Sequence, residues 1–382
     1  MSDLLTFSDV CVGPNEAVLQ APAGSLFRGG PLWPDFAQQV EARQCRGEEI
    51  KAVDDMPTFD PVTDIKVEEG VWCGPIVFHF GHMIADFGMR IALSASLNGD
   101  VPLVFSGYNA SRPKLQEPPP YFWAMVDHFK ISRKRILIIR TPTMFRKLHV
   151  FPQAERMRGP APASDYLDLL DEMTLPSNVL DLKNFSQVYV SRAKVPQGGL
   201  AGEAYLDQVL VASGVKVIHP ETLPFSEQVA YYQSARTLVF SEGSAVHALQ
   251  LLGRLDADIG ILVRRNKARI AQHSVVARAK SVSYLEASPE LVFGLRASGH
   301  GNESKGITLL SGPAVIKAFA AMNIDIRRHW NEKDFQSRKE ADLKAWATLR
   351  LANRKAHAGE RAGIEATLAK LACPLSLDAI LS

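Results

Sequence analysis

The sequence predicts an α/β protein built on parallel sheets, with a helical C-terminal tail. Short apolar runs recur along the middle of the chain, as at Val188-Tyr189-Val190 and Leu238-Val239-Phe240. Stretches of helical period separate them, and the runs are almost continuously apolar, as strands covered on both faces are. Gly, Pro and Ser mark the joins.

The stretch from Gln187 to Gly253 states this pattern most fully. A strand at Gln187–Val190 empties into Ser191-Arg192-Ala193-Lys194, and a connection with Gly198, Gly199 and Gly202 leads to a helix through Tyr205, Leu206, Val209 and Leu210. Val215–Ile218 is the second strand, followed by Pro220-Glu221 and a helix with Glu227 and Gln228. Thr237–Phe240 is the third, and Ser241-Glu242-Gly243-Ser244-Ala245 opens a helix from Val246 to Leu252. Small residues at that turn would let an anion approach free backbone N–H groups where the helix dipole favours negative charge.

Residues 1–70 read as a β-rich entry segment without a long helical period. An apolar run through Ile76-Val77-Phe78 then ends in Phe80-Gly81-His82, and a helix is expected from Met83 to Leu97 with Ile84, Phe87, Ile91 and Ala95 on its buried face. His82 and Asp86, four apart, share another face. Val101–Phe105 and Arg135–Ile139 are further strands, with a stiff Pro118-Pro119-Pro120 connection between them. Ile259–Val263 adds another strand, with Arg264 and Arg265 at the end where ligands of open α/β sheets bind. The tail is helical, its Trp330, Phe335, Leu343, Trp346 and Leu349 forming a buried or partner face. The expected parts are 1–70, an α/β domain at 71–180, a second at 181–310 and the tail at 311–382. Their junction is expected between about 155 and 185.

The 382 residues include 43 Lys and Arg against 41 Asp and Glu, which removes a global argument for nucleic acid or an anionic membrane. Cys11, Cys45, Cys73 and Cys373 have neither zinc nor disulfide spacing, so a reducing compartment is expected. No secretory start is visible, and the three sequons at Asn109, Asn184 and Asn302 read as chance. Cytoplasmic location follows as the expectation; peripheral membrane association and homo-oligomers stay open. Phosphate-loop, metalloprotease and nucleophile-elbow motifs are absent, and Gly299-His300-Gly301-Asn302 reads as a loop. The missing dinucleotide fingerprint disfavours an oxidoreductase.

Order and spacing of several motifs resemble glycosyltransferase family 61. They are Gly81-His82 with Asp86, Ser191-Arg192, Glu203 opening a helix, Pro220-Glu221 before Phe225-Ser226-Glu227-Gln228, Ser234-Ala235 and Gly243-Ser244-Ala245. Family members often carry Asn where this chain has Gly202, and His-Gly-Ala where it has Glu242-Gly243-Ser244 followed by His247-Ala248. The resemblance implies a GT-B fold, two Rossmann-like domains facing a cleft, and inverting transfer without an obligatory metal or other cofactor. It implies a nucleotide sugar as donor and a saccharide or glycolipid acceptor, as in surface-polysaccharide or capsule synthesis, with hexosyl and pentosyl transfer both open. Inverting transfer needs a base and groups that stabilise the departing diphosphate. His82 or Asp86 is the candidate base. Arg192, Glu221, Glu227, Gln228, Gly243, Ser244, Ala245 and His247 are the donor-site candidates. A metal at His79, His82 and Asp86 lacks a matching fourth ligand. The rival reading is a catalytically inactive nucleotide-sugar-binding or scaffold subunit.

Overall fold

The computed structural model describes residues 3–19, 25–97, 99–174, 185–195, 198–287, 289–296, 298–352, 358–372 and 374–381. The expected boundary at 180, the sequon residue Asn184 and Cys373 lie outside these residues. The chain forms two compact units: one of Met1–Ser177, His247–Leu255 and Ala271–Arg278, the other of the remaining segments.

The first unit is organised on a seven-stranded sheet. Its spatial order is Asp54–Asp55, Phe27–Pro31, Leu5–Val18, Thr143–Val150, Ile65–Pro75, Leu103–Ser106 and Ile136–Ile139. The last four run parallel, whereas Leu5–Val18 is antiparallel to Thr143–Val150. The N-terminal stretch is thus part of the same sheet as the strands that follow it. Val71, Leu103, Val104, Phe105, Phe145 and Leu148 are fully buried here. The single helix expected from Met83 is broken into an α-turn at Phe80–His82, a π-helical turn at Met83–Phe87 and a short helix at Ile91–Ala95. Gly88 follows the π-helical turn, and a Cβ there would lie 2.7 Å from the Met83 carbonyl oxygen.

The second unit carries a five-stranded sheet in the order Lys216–Ile218, Gln187–Val190, Thr237–Ser241, Leu255–Leu262, Ala279–Leu285. The first four are parallel. Counted along the chain this is the order 2-1-3-4-5, which reverses direction between Gln187–Val190 and Thr237–Ser241. Ligands of open parallel sheets bind at the carboxyl ends of the strands beside such a switch point. Helices Glu203–Ala212 and Gly312–Ala321 contribute Leu206, Leu210, Val315 and Phe319 to a core with Tyr189, Val239 and Leu262.

The glycine-rich connection after Arg192 does more than join strand to helix. Leu200–Ala201 pairs with Ile307–Leu309, which also pairs with Glu290–Val292, making a small three-stranded sheet. Helices Glu332–Ala352 and Ala358–Leu368 cover it through Leu343, Ala347, Ile364 and Leu368. The tail therefore belongs to the second unit. Its Leu349, expected on the buried or partner face, is exposed. Asp342 accepts a hydrogen bond of 2.8 Å from the Gly202 N–H at the start of helix Glu203–Ala212. Gly202 has φ +83°, a left-handed conformation that Gly and, next best, Asn adopt. The Asn of the resembled family at this place suits the same backbone.

Candidate functional site

In the first unit the π-helical turn carries Asp86, whose side chain is 0% exposed. Widening the turn changes the backbone pairing, and the Asp86 carbonyl is satisfied by side chains, Gln44 Nε2 at 3.1 Å and Gln153 Nε2 at 2.9 Å. Arg46 donates to its carboxylate from Nε at 2.9 Å and from Nη2 at 2.5 Å. The His82 ring nitrogen Nδ1 lies 2.6 Å from Oδ2. Burial pushes the Asp86 carboxyl upward, but the His82 and Arg46 hydrogen bonds and charge outweigh it and hold the group below its ordinary range. An ionised Asp86 can only accept, so the His82 Nδ1 that faces it is the donor of that contact; Arg46 Nη2 stands 3.1 Å from the same Nδ1. The His82 side chain is 25% exposed. Of the two base candidates, His82 reaches solvent while the Asp86 side chain is fully buried against it.

Two further imidazoles stand near this pair. His79 caps the turn, its Nδ1 accepting from the His82 N–H at 3.4 Å, and the two rings are 4.6 Å apart. Burial and the His82 charge lower the His79 pKa. His247, expected on the donor side because it follows Gly243 by one helical turn, falls in the first unit. Its ring bonds Gln250 Oε1 through Nδ1 at 2.8 Å. Burial lowers its pKa against the Gln250 hydrogen bond, and Asp86, His82 and His79 all act on it electrostatically. Gln250 in turn donates to Glu155, which forms a fully buried ion pair with Arg278. Among the described residues no group of three or more His, Cys, Asp or Glu is arranged to hold a metal ion.

In the second unit Arg192 and Gly243 follow the two strands that flank the switch point. They touch: a Cβ on Gly243 would lie 2.1 Å from Arg192 Nη1. Glycine is needed here for close approach of the guanidinium rather than for an unusual φ. The Arg192 backbone is fixed from below, since its N–H donates at 2.9 Å to Glu203 Oε1, which also accepts from Tyr189 Oη at 2.9 Å. Burial lowers the Arg192 pKa, opposed by the charges of Glu203, Glu242 and Glu221. Ser244 and Ala245 begin a 3-10 helix, Ser244–Leu251, in place of the expected helix at 246–252.

The remaining donor-site candidates separate in character. Glu221 is exposed in the turn Pro220–Thr222 and acts on Arg192 by its charge. Glu227 lies in the first turn of helix Phe225–Ser234 and is half-buried. Gln228 is buried, and its amide donates to the carbonyls of Pro220 at 2.7 Å and Leu223 at 3.0 Å, holding that turn.

Sequence reasoning passed over three groups. Arg46 stands 40 residues before Asp86, and no local pattern announces the pairing. Asp207 accepts from Ser191 Oγ at 2.9 Å and lies 3.5 Å from His219 Nε2. Burial and the Glu203 charge raise its pKa from 3.8 to about 7, with Ser191 and Lys194 opposing. Glu242 is buried, accepting from both the Arg264 and Arg265 N–H groups and from the Arg265 guanidinium. It follows strand Thr237–Ser241 directly and ties its end to the residues after Leu255–Leu262, a long-range pairing with no local signal.

A mixed α/β fold with parallel sheets is compatible with a glycosyltransferase. Residues 80–252, a little under half the chain, match the family described as glycosyltransferase 61. That stretch holds His82, Asp86, Arg192, Glu221, Glu227, Gln228, Gly243, Ser244, Ala245 and His247. The similarity supports glycosyltransferase activity, and with it a nucleotide-sugar donor and an acceptor. No curated protein matches the chain.

Proposed function

We propose that this protein is an inverting, metal-independent glycosyltransferase of GT-B type, transferring a sugar from a nucleotide sugar to a saccharide or glycolipid acceptor. Surface-polysaccharide synthesis at the cytoplasmic side of a membrane is the setting we favour. The observation that carries the reading is the contact of Arg192 with Gly243 at the switch point of a parallel sheet. A guanidinium and free backbone N–H groups at that place suit a diphosphate.

On this reading Arg192 and the N–H groups of Ser244 and Ala245 hold the donor diphosphate and stabilise the charge that develops as it leaves. Glu221 and Glu227 are the carboxylates available for donor hydroxyls. His82 takes the acceptor hydroxyl proton on Nε2 while Asp86 fixes the tautomer and stabilises the imidazolium that forms. Attack then proceeds on the face of the anomeric carbon opposite the leaving diphosphate, which inverts its configuration.

The test screens nucleotide sugars for transfer and donor hydrolysis with the wild-type protein, His82→Ala and Arg192→Ala. The expected result is turnover of one donor without added metal. His82→Ala should still bind that donor but turn over about 10²–10⁴-fold more slowly; Arg192→Ala should lose donor affinity. Binding without turnover of any donor by the wild-type protein would favour the inactive binding subunit instead. Absence of all nucleotide binding would overturn the reading.

A further inference from the structure

We propose that Arg264 supplies a second guanidinium to the anion site of the second unit, beside Arg192, and grips the diphosphate of the bound donor. This rests on the reading of that unit as the nucleotide-sugar site. Arg264 lies beyond the stretch that matches the family. It follows strand Leu255–Leu262, which neighbours the strand leading to Gly243.

The contrast with the adjacent arginine carries the argument. Arg265 is committed to Glu242, with Nε at 2.8 Å and Nη2 at 2.5 Å from Oε1. Arg264 is 5% exposed, yet among the described residues no carboxylate forms an ion pair with it. Its Nε is buried without a hydrogen-bond partner, and Nη1 has only a long contact of 3.4 Å to the Glu303 carbonyl. Leaving a buried charged donor unsatisfied is costly.

Its backbone, by comparison, is clamped on both sides. The Arg264 N–H donates to Glu242 at 2.8 Å and its carbonyl accepts from Thr308 Oγ1 at 2.9 Å. The side chain is thus held at the site while its donors are left underused.

Gly198 places the two guanidiniums together. Its carbonyl accepts from Arg192 Nε and Nη2 at 3.4 Å, and a Cβ on it would lie 3.2 Å from Arg264 Nη1. Its φ of +68° and the Ser304 carbonyl, 2.7 Å from the same Cβ position, reserve the place for glycine. Burial and the Arg265 charge lower the Arg264 pKa to about 10, Glu242 opposing and Arg192 adding to the fall. At neutral pH both cations remain, and a dianion between them would relieve their mutual repulsion. Two neighbouring forks match a diphosphate better than a single phosphate.

The experiment titrates full-length protein calorimetrically with nucleoside diphosphates, their monophosphates and inorganic pyrophosphate, comparing wild type with Arg264→Met. The diphosphate that the wild type binds should lose about 10- to 100-fold in affinity, as for a lost charge-assisted contact. The monophosphate should lose much less, so the preference for diphosphate collapses. Equal diphosphate affinity in a folded variant would overturn the role of Arg264 while leaving the donor site standing. If the wild type binds neither nucleotides nor pyrophosphate, the donor-site reading itself fails, and Arg264 with it. Should Arg264→Met not fold, Arg264→Lys keeps the buried charge without the fork and should weaken diphosphate binding roughly 3- to 10-fold. Unchanged affinity there would also overturn the assignment.

Discussion

Replacing Asp207 with Asn should alter how stability depends on pH, by an amount the structure sets. The carboxyl is raised from 3.8 to about 7, chiefly by burial and then by Glu203. A carboxyl whose folded value lies above its unfolded one holds its proton more tightly when folded. Stability must therefore fall as pH climbs from 3.8 to about 7 and level off beyond. Three units at about 1.36 kcal/mol each give roughly 4 kcal/mol as the ceiling. The side chain is 13% exposed, so solvent screens only part of this, and about 2–4 kcal/mol is expected. Asn copies the neutral carboxyl in shape and carries no proton to lose. Urea unfolding at pH 5 and pH 8, followed by circular dichroism and tryptophan fluorescence, would compare the two proteins. Asp207→Asn should gain on the wild type as pH rises. A stability difference that is the same at both pH values would refute the reasoning.

Three further substitutions probe the two units. Asp86→Asn removes the acceptor that selects the His82 tautomer, and kcat should fall about 10²–10⁴-fold with a small change in donor KM, measured by steady-state kinetics. Because Asp86 titrates below 3.8 when folded, its contribution to stability is full above that value and disappears only as pH falls through the depressed value; wild-type acid unfolding should therefore begin at lower pH than for the variant. Gly243→Ala must push Arg192 aside, and donor affinity measured by titration should drop about tenfold or more with the fold preserved. Glu155→Gln leaves Arg278 charged and buried in the first unit, and chemical denaturation should show a loss of about 3–5 kcal/mol.

Strands covered on both faces were the most legible elements. Gln187–Val190 is read to its ends, and Thr237–Ser241 to within one residue, because a continuous apolar run of that length between helical stretches has few other interpretations. Strands with one wet face were missed or shortened. Thr143–Val150 buries Phe145, Leu148 and Val150 but exposes the adjacent Arg146 and Lys147, and its charges hid it. Leu255–Leu262 begins four residues before the expected Ile259, since Asp256 and Asp258 interrupt the apolar run in the sequence while Leu255 and Ala257 between them are buried. The i to i+4 pairing of His82 and Asp86 was visible as spacing, although the backbone that delivers it is a π-turn. Long-range partners have no such signal. Arg46 reaches Asp86, and Glu203 reaches the Arg192 backbone, through the tertiary fold alone. Nearness in sequence to Gly243 puts His247 among the donor-side candidates, whereas it falls in the first unit and feels the charges of Asp86 and His82.

The way the second unit is closed sets the smallest fragment worth expressing. A protein ending at residue 252, where the family similarity stops, would lack Leu255–Leu262 and Ala279–Leu285. Thr237–Ser241 would then become a bare edge with Leu238, Val239 and Phe240 uncovered, a template for intermolecular pairing. The same cut removes Asp342, so the Gly202 N–H that starts the helix under Arg192 loses its acceptor. Such a fragment should aggregate on expression, whereas one carried through the helix Leu377–Leu381 retains both the closing strands and the clamp.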